Sequence, residues 1–462
     1  MVLAPQPPLA LFPAQIHRNF SRKLIAPFYN FLDFTSVSDD EGERYEDVLN
    51  ALSGRQHMKT SKLIAADAPG RDSGRISSAP QSIVNSVDIE LFAGGGGMSI
   101  GLRRAGFSPA CFLERDGIAC DTLRGNIASG RPTIAGQVVE QDAGQFDWGS
   151  VVKPVRLLAA GAPCQPFSLA GKHLAEKDGR NLFPQVLRAV RSLNPQAVFL
   201  ENVRGLRRHS FQPYFDYILR QLECPAILPE ADELWQEHDE RILKLRASKS
   251  YQPEYRVVSR VVDAADYGVP QNRHRVIVVA LKMNLQAYEF PKPTHSEAAL
   301  LQAMHSGTYW ERHNFQKPQL DIKNPTNEEV NGSIPWQTVR DALSGLPKPA
   351  KDEQGAEMNH FAIPGARAYT GHTGSILDWP AKTIKAGVHG VPGGENTVID
   401  DRGEFRYLTL RETARIQTFP DVHLFSGARI HVTRQIGNAV PCTLTEVLAK
   451  PLFDILHQRN RT

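Results

Sequence analysis

Four short apolar runs recur along this chain: Val87-Asp-Ile-Glu-Leu-Phe92, Pro109-Ala-Cys-Phe-Leu113, Val155-Arg-Leu-Leu-Ala-Ala160 and Ala197-Val-Phe-Leu200. Helix-like segments separate them. Short buried strands joined by helical crossovers lie parallel, in a sheet whose two faces are both covered. The alternation therefore predicts an α/β, Rossmann-like fold with a mostly parallel sheet and helices on both faces. Two further runs, Arg256 to Val262 and Arg275 to Leu281, close the block. In open sheets of this kind ligands gather at the carboxyl ends of the strands, so the residues just after each run come first as candidates for chemistry.

A chain of 462 residues has room for two or three domains. Residues 1–85 lack sustained periodicity and end in a Gly/Ser/Pro-rich stretch from Ala68 to Pro80, which reads as an extension and linker. Residues 86–281 hold the strand–helix block, with a charged helical insertion near 225–250 whose acids and bases suggest a solvated spacer. Across 282–405 periodicity fades and Pro, Gly, Asn and His become common, as in a smaller loop-rich domain. Helix-like spacing returns in 406–462, at Leu408 to Gln417 and Val440 to His457.

A net charge of +3 is too small to argue for nucleic acid by itself, and no apolar run is long enough to span a membrane. The five cysteines are scattered, with no CxxC pair, which disfavours a disulfide framework and a zinc site and fits a reducing cytoplasm. The first acid is Asp33, yet Pro5, Pro7, Pro8 and Pro13 interrupt any amphipathic transit helix.

Residues beside the strand ends carry the candidate chemistry. Phe92-Ala93-Gly94-Gly95-Gly96-Gly97 leaves the first strand and opens a helix, where bare backbone and a helix amino terminus suit a carboxylate or phosphate. Counted from Gly94, the sixth place of a dinucleotide fingerprint is Ser99, so that motif fails. Glu114, twenty residues on, suits a ribose diol, and Asp142 a base amino group; together these features point to an adenosine-containing cofactor without a pyrophosphate. Cys164 follows the third strand between two prolines, placed for a nucleophile, although a lone cysteine also serves as a small buried hydrophobe. Glu201 follows the fourth strand at the same sheet edge; alone it reads first as a cap or surface acid. Gln271, Arg273 and Arg275 alternate along an extended segment and can converge on one carbonyl or phosphate.

Taken in order, these segments resemble the C5-cytosine DNA methyltransferase family. The resemblance runs through Phe92 to Gly97, Pro163-Cys-Gln-Pro-Phe-Ser168, Glu201-Asn-Val203, Gln271 to Arg275, Arg406 to Pro420 and Gln435-Ile-Gly437-Asn438-Ala-Val-Pro441. It covers residues 87–281 and 406–455 apart from the insertion. The implied cofactor is S-adenosyl-L-methionine, contacted by Phe92, Ala93, Gly94, Gly95, Gly96, Gly97, Glu114, Arg115, Asp142, Ala143, Pro163, Leu182, Asn438 and Val440. No metal is implied. The implied partner is double-stranded DNA, met by a monomer, with or without a restriction endonuclease acting on the same site.

The chemistry expected of such a site is covalent. Cytosine C5 becomes nucleophilic once a thiolate adds to C6, which assigns Cys164 the attack, Glu201 the proton at N3 and Arg275 the O2 carbonyl. Arg273 would support the pocket or hold a flanking phosphate. The base must first be flipped out of the duplex. Gln165 and Ser168, with Lys172, Lys177 and Arg180 on a glycine-bounded loop, would meet DNA as a closing lid. In 282–405, Thr383, Lys385, His389 and Asn396 lie in or beside a glycine-rich stretch expected to read the target sequence. Three other readings remain: a tRNA methyltransferase on the same scaffold, an inactive DNA-binding regulator, and a nucleotide-dependent oxidoreductase.

Overall fold

Every expected apolar run becomes a strand. The computed structural model describes residues 87–129, 132–151, 154–162, 182–248, 251–318, 324–351, 359–367, 374–387 and 396–458. Its main sheet comprises β1 (Val87–Leu91), β2 (Pro109–Glu114), β3 (Gln137–Glu140), β4 (Val155–Gly161), β5 (Ala197–Val203), β6 (Tyr255–Asp263) and β7 (His274–Lys282). Their order is β3-β2-β1-β4-β5-β7-β6. The pairs among β1 to β5 are parallel, whereas β7 runs antiparallel to both β5 and β6. That reversal has a simple cause. Only residues 264–273 join β6 to β7, too few for the crossover that a parallel pair needs.

The helices labelled here are α1 (Gly97–Ala105), α2 (Gly117–Ala128), α3 (Phe183–Leu193), α4 (Gln212–Glu223), α5 (Trp235–Ala247), α6 (Leu410–Ile416), α7 (Arg429–Asn438) and α8 (Cys442–Gln458). One apolar layer forms where Val186, Leu187 and Val190 of α3 and Phe215, Ile218 and Leu222 of α4 meet the inward side chains of β4 and β5. On the other face Met98 and Leu102 of α1 pack with Leu444, Leu448 and Leu452 of α8, a four-residue spacing that makes one helical stripe. Residues 282–405 contribute short pieces: helices Glu297–Ser306, Thr308–Arg312, Asn327–Val330 and Val339–Leu343, and strands of two or three residues.

Two elements depart from expectation. The charged insertion does contain a helix, α5, but it is docked rather than solvated on all sides. His238 and Ile242 are fully buried. The His238 ring bonds the Tyr217 hydroxyl at 2.7 Å and donates from Nε2 to the Ile227 carbonyl at 3.0 Å, while Arg220 of α4 pairs with Asp239. Helix α7 was not anticipated, because its buried residues mix Thr433, Gln435 and Gly437 with only Val432 and Ile436, an apolar pair too short to read as a stripe. Among the described residues no helix is long and apolar enough to cross a membrane, and no cluster of three or more metal-ligating side chains occurs.

Candidate active site

A cavity of about 280 Å³ opens at the carboxyl ends of β1, β2, β4 and β5, just below the ~300–1,000 Å³ usual for ligand pockets. Its first wall is the glycine loop. Phe92 leaves β1 with φ 57°, a left-handed conformation rare for an aromatic residue and typical of strained functional turns. Gly94 then donates its N–H to Glu114 Oε2 at 2.9 Å, and Glu114 Oε1 accepts the N–H groups of Arg115 and Asp116, both at 2.8 Å. The carboxylate thereby ties the ends of β1 and β2 together while facing the cavity. Gly96, at φ 86°, caps α1 and points its Cα towards Leu123, Ile134 and His423 instead.

The second wall is acidic and basic at once. Glu201 lies on β5 itself, in register with Gly161 at the end of β4. Its Oε1 meets Arg275 Nε at 2.7 Å, and both side chains are nearly buried. Burial draws the Arg275 guanidinium down from its usual range and the Glu201 carboxylate opposes that shift. Arg275 Nη1 bonds the His274 carbonyl. Both side chains line the cavity, where a substrate would meet them. Next to them, Asn202 Nδ2 donates to the Ala162 carbonyl at 3.3 Å, steadying the chain two residues before Cys164.

The third wall comes from the far end of the sequence: Gly437, Asn438, Ala439 and Val440, at the end of α7, line the same cavity. Arg273 holds that wall. Its Nη2 donates to the carbonyls of Gly437 and Ala439, both at 3.0 Å, and its Nη1 to that of Ile384 at 3.2 Å. With 2% exposure and these commitments, Arg273 is a support of the pocket and has no reach to a DNA phosphate. The three alternating side chains do not converge fully, since Gln271 is fully buried and turns to Gln417.

Thus Phe92, Ala93, Gly94, Gly95, Gly97, Glu114, Glu201, Arg273, Arg275, Asn438 and Val440 share one cavity. Arg115, Asp142, Ala143 and Leu182 do not line it. Asp142 instead accepts from Gly144 N at 2.7 Å and pairs with the exposed Arg115 at 3.3 Å, and Ala143 is core. Thr383 donates its hydroxyl to the Asn272 carbonyl at 2.8 Å. Asn396 exchanges two bonds with the Lys385 backbone, at 2.8 and 3.1 Å, which occupies the amide expected to face DNA. Pro163, Cys164, Gln165, Ser168, Lys172, Lys177, Arg180 and His389 lie outside the described residues.

Sequence reasoning missed Glu90. It lies within an apolar run, is 1% exposed, lines the cavity, and accepts from Ser99 Oγ at 2.6 Å. Burial pushes its carboxyl up to about 8, with the Ser99 hydrogen bond opposing and the charge of Glu114 adding. His423 was missed too. Fully buried, it donates from Nε2 to the Gly95 carbonyl at 2.9 Å and therefore accepts from Thr133 Oγ1 at Nδ1, at 2.8 Å. Burial holds this imidazole at about 4, so it braces the glycine loop in its neutral form.

Comparison with known proteins agrees with this geometry. The family model of C-5 cytosine-specific DNA methylase matches residues 87–224 and 231–454. The chain is similar to the Type II methyltransferase M.Eco47II of Escherichia coli, 33% identical over 381 residues that span 81% of this chain and 80% of the relative. M.NgoMIV of Neisseria gonorrhoeae is 31% identical over 388 residues, spanning 81% of this chain and 99% of that one. A solved mutant of Spodoptera frugiperda DNMT2 shares the fold, with a TM-score of 0.50 and 17% identity over 80% of this chain and all of that one. The chain belongs to the C-5 cytosine-specific DNA methylase family and is a DNA cytosine-5 methyltransferase.

Proposed function

We propose that this chain methylates C5 of a cytosine flipped out of a specific DNA duplex, through a covalent bond between Cys164 and C6. We further propose that it is the modification enzyme of a restriction-modification system, a reading supported by the Type II names of its relatives. The observation that carries the chemistry is the Glu201–Arg275 pair in the same cavity as the glycine loop.

The cavity fits S-adenosylmethionine on its own evidence. Glu114 presents a carboxylate, Gly94 and Gly95 bare backbone, and Gln435 Oε1 is buried there without a partner among the described residues, an acceptor that awaits an N–H or O–H. Glu114, Phe92 and Asn438 would hold the cofactor, which when bound supplies an electrophilic methyl group. Glu201 Oε2 then brings a proton taken from solvent to cytosine N3, so that negative charge does not build on the ring when the Cys164 thiolate adds to C6, and takes it back when the ring is restored. Arg275 Nη2 donates to O2. Once C5 carries the methyl group, its hydrogen leaves as a proton and the C6–sulfur bond breaks, restoring the ring and the thiolate.

The test uses a duplex containing 5-fluorocytosine at the methylated position, which blocks the final proton loss. Wild type incubated with the methyl donor is expected to give a denaturation-resistant protein–DNA adduct, and Cys164→Ala none. An adduct from Cys164→Ala would overturn the assignment. The target itself is identified by bisulfite sequencing of plasmid from cells that express the chain.

A further inference from the structure

Two buried glutamines lie behind the cavity and line none of it themselves. Gln271 and Gln417 are both at 0% exposure, 146 residues apart in sequence. Gln271 Oε1 accepts the N–H of Ile384 at 2.8 Å, and its Nε2 donates to Gln417 Oε1 at 2.8 Å. Gln417 Nε2 donates in turn to the carbonyls of Ile436 at 2.7 Å and Ala439 at 3.1 Å. Because the chain begins at a backbone donor and ends on backbone acceptors, only one orientation of each amide satisfies it. Arg273 runs parallel, joining the Ile384 carbonyl to those of Gly437 and Ala439. Both backbone groups of Ile384 are therefore engaged, and the Ala439 carbonyl receives both routes.

Backbone packing closes the same link. A Cβ on Gly437 would overlap the backbone of Lys385 and Ala386. The buried Ile384 of the segment 381–387 is thus tied by hydrogen bonds to the cavity wall 437–440, and leaving one partner unmade there costs about 1–3 kcal/mol. Neither can shift without the other.

We infer that Gln271 and Gln417 are positioning residues that couple target recognition to cofactor binding, by holding the root of the recognition segment against the cofactor wall. This rests on the proposed reading of the cavity as the methyl-donor site and of the stretch at Thr383 and Lys385 as part of what reads DNA. A merely structural amide pair would weaken cofactor binding equally with and without DNA. A coupling pair changes the ratio between the two.

The experiment titrates S-adenosylhomocysteine into the full chain, alone and saturated with the duplex that wild type methylates, following tryptophan fluorescence. Wild type is expected to bind at least about fivefold tighter with its duplex, within the usual range of coupled sites. Gln417→Met should bring that factor below about twofold while affinity without DNA stays within about threefold. Should Gln417→Met fail to fold, Gln271→Leu, which loses the bonds to both Ile384 and Gln417, is expected to lose the coupling likewise. A wild type without coupling, or variants that keep the wild-type factor, would overturn the inference. Absence of methylated cytosine in the sequencing above would instead sink the function on which it rests.

Discussion

Glu90 shows how a single buried carboxyl makes a site depend on pH. Its folded value of about 8 exceeds the ordinary 4.5, so the folded protein holds a proton there that the unfolded chain has released. The sign follows from proton linkage: the group's contribution is fully present below pH 4.5 and is lost as pH rises through 8. Each unit of such a difference corresponds to about 1.4 kcal/mol. Glu90→Gln keeps an acceptor for Ser99 Oγ and cannot ionise. Melting curves across pH 4.5–8.5 should show the variant near wild type at the acid end and increasingly more stable towards pH 8. A constant offset between the two proteins would mean that Glu90 is not a neutral acid in the fold. At this scale the sequence was readable where a polar residue bordered an apolar run, as Glu114, Glu201 and Arg275 do. It was silent for Glu90, Gln417 and His423, because a polar residue inside a buried segment looks local and its partners lie far away; His423 bonds Gly95 across 328 positions.

Among the elements, α1 and α8 pack more closely than any side chain would allow at Gly101. A Cβ there would overlap the Cys442 carbonyl oxygen and come within 2.5 Å of Thr445 Cβ. Gly101→Ala gains helix propensity but forces the two helices apart, and overpacking of this kind costs about 1–3 kcal/mol. Gly125 in α2 is the internal control, since nothing lies within 4 Å of its Cβ position. Gly125→Ala should therefore stabilise, by about 0.5–1 kcal/mol. Denaturant midpoints of the two variants are expected to move in opposite directions, and a shared direction would show that the α1–α8 contact is looser than described. Apolar runs made β1, β2 and β4 to β7 readable, because period and length are local properties. The four-residue β3 and α7 with its single apolar pair were not, as each exists only through its neighbours.

For the whole molecule, the question is whether the chain's return to its own beginning completes the fold or merely decorates it. The expectation that 406–462 rejoins the cofactor-binding region came from the resemblance, since nothing local in Gln435 to Pro441 says where it docks. Distances supply the reason: Asn126 of α2 grips Leu424 through both its amide atoms, at 2.6 and 3.0 Å, and α7 then delivers Gly437 to Val440 to the cavity. Helix α8 follows at once, with Leu444, Leu448, Leu452 and Leu456 each at 2% exposure or less. At about 1.5–3 kcal/mol for each buried leucine, these four contribute about 6–12 kcal/mol, which rivals the whole ~5–15 kcal/mol by which domains are stable. A chain ending at Pro441 keeps every residue that lines the cavity, yet it should lose the fold that holds them. Heating followed by circular dichroism is expected to give a sigmoidal transition for the full chain and none for the truncated one. Adding the missing residues as a separate peptide should restore both the transition and S-adenosylhomocysteine binding. Were the truncated chain to melt cooperatively by itself within a few degrees of the full one, α8 would be an appendage and the second apolar layer would have to be stable without it.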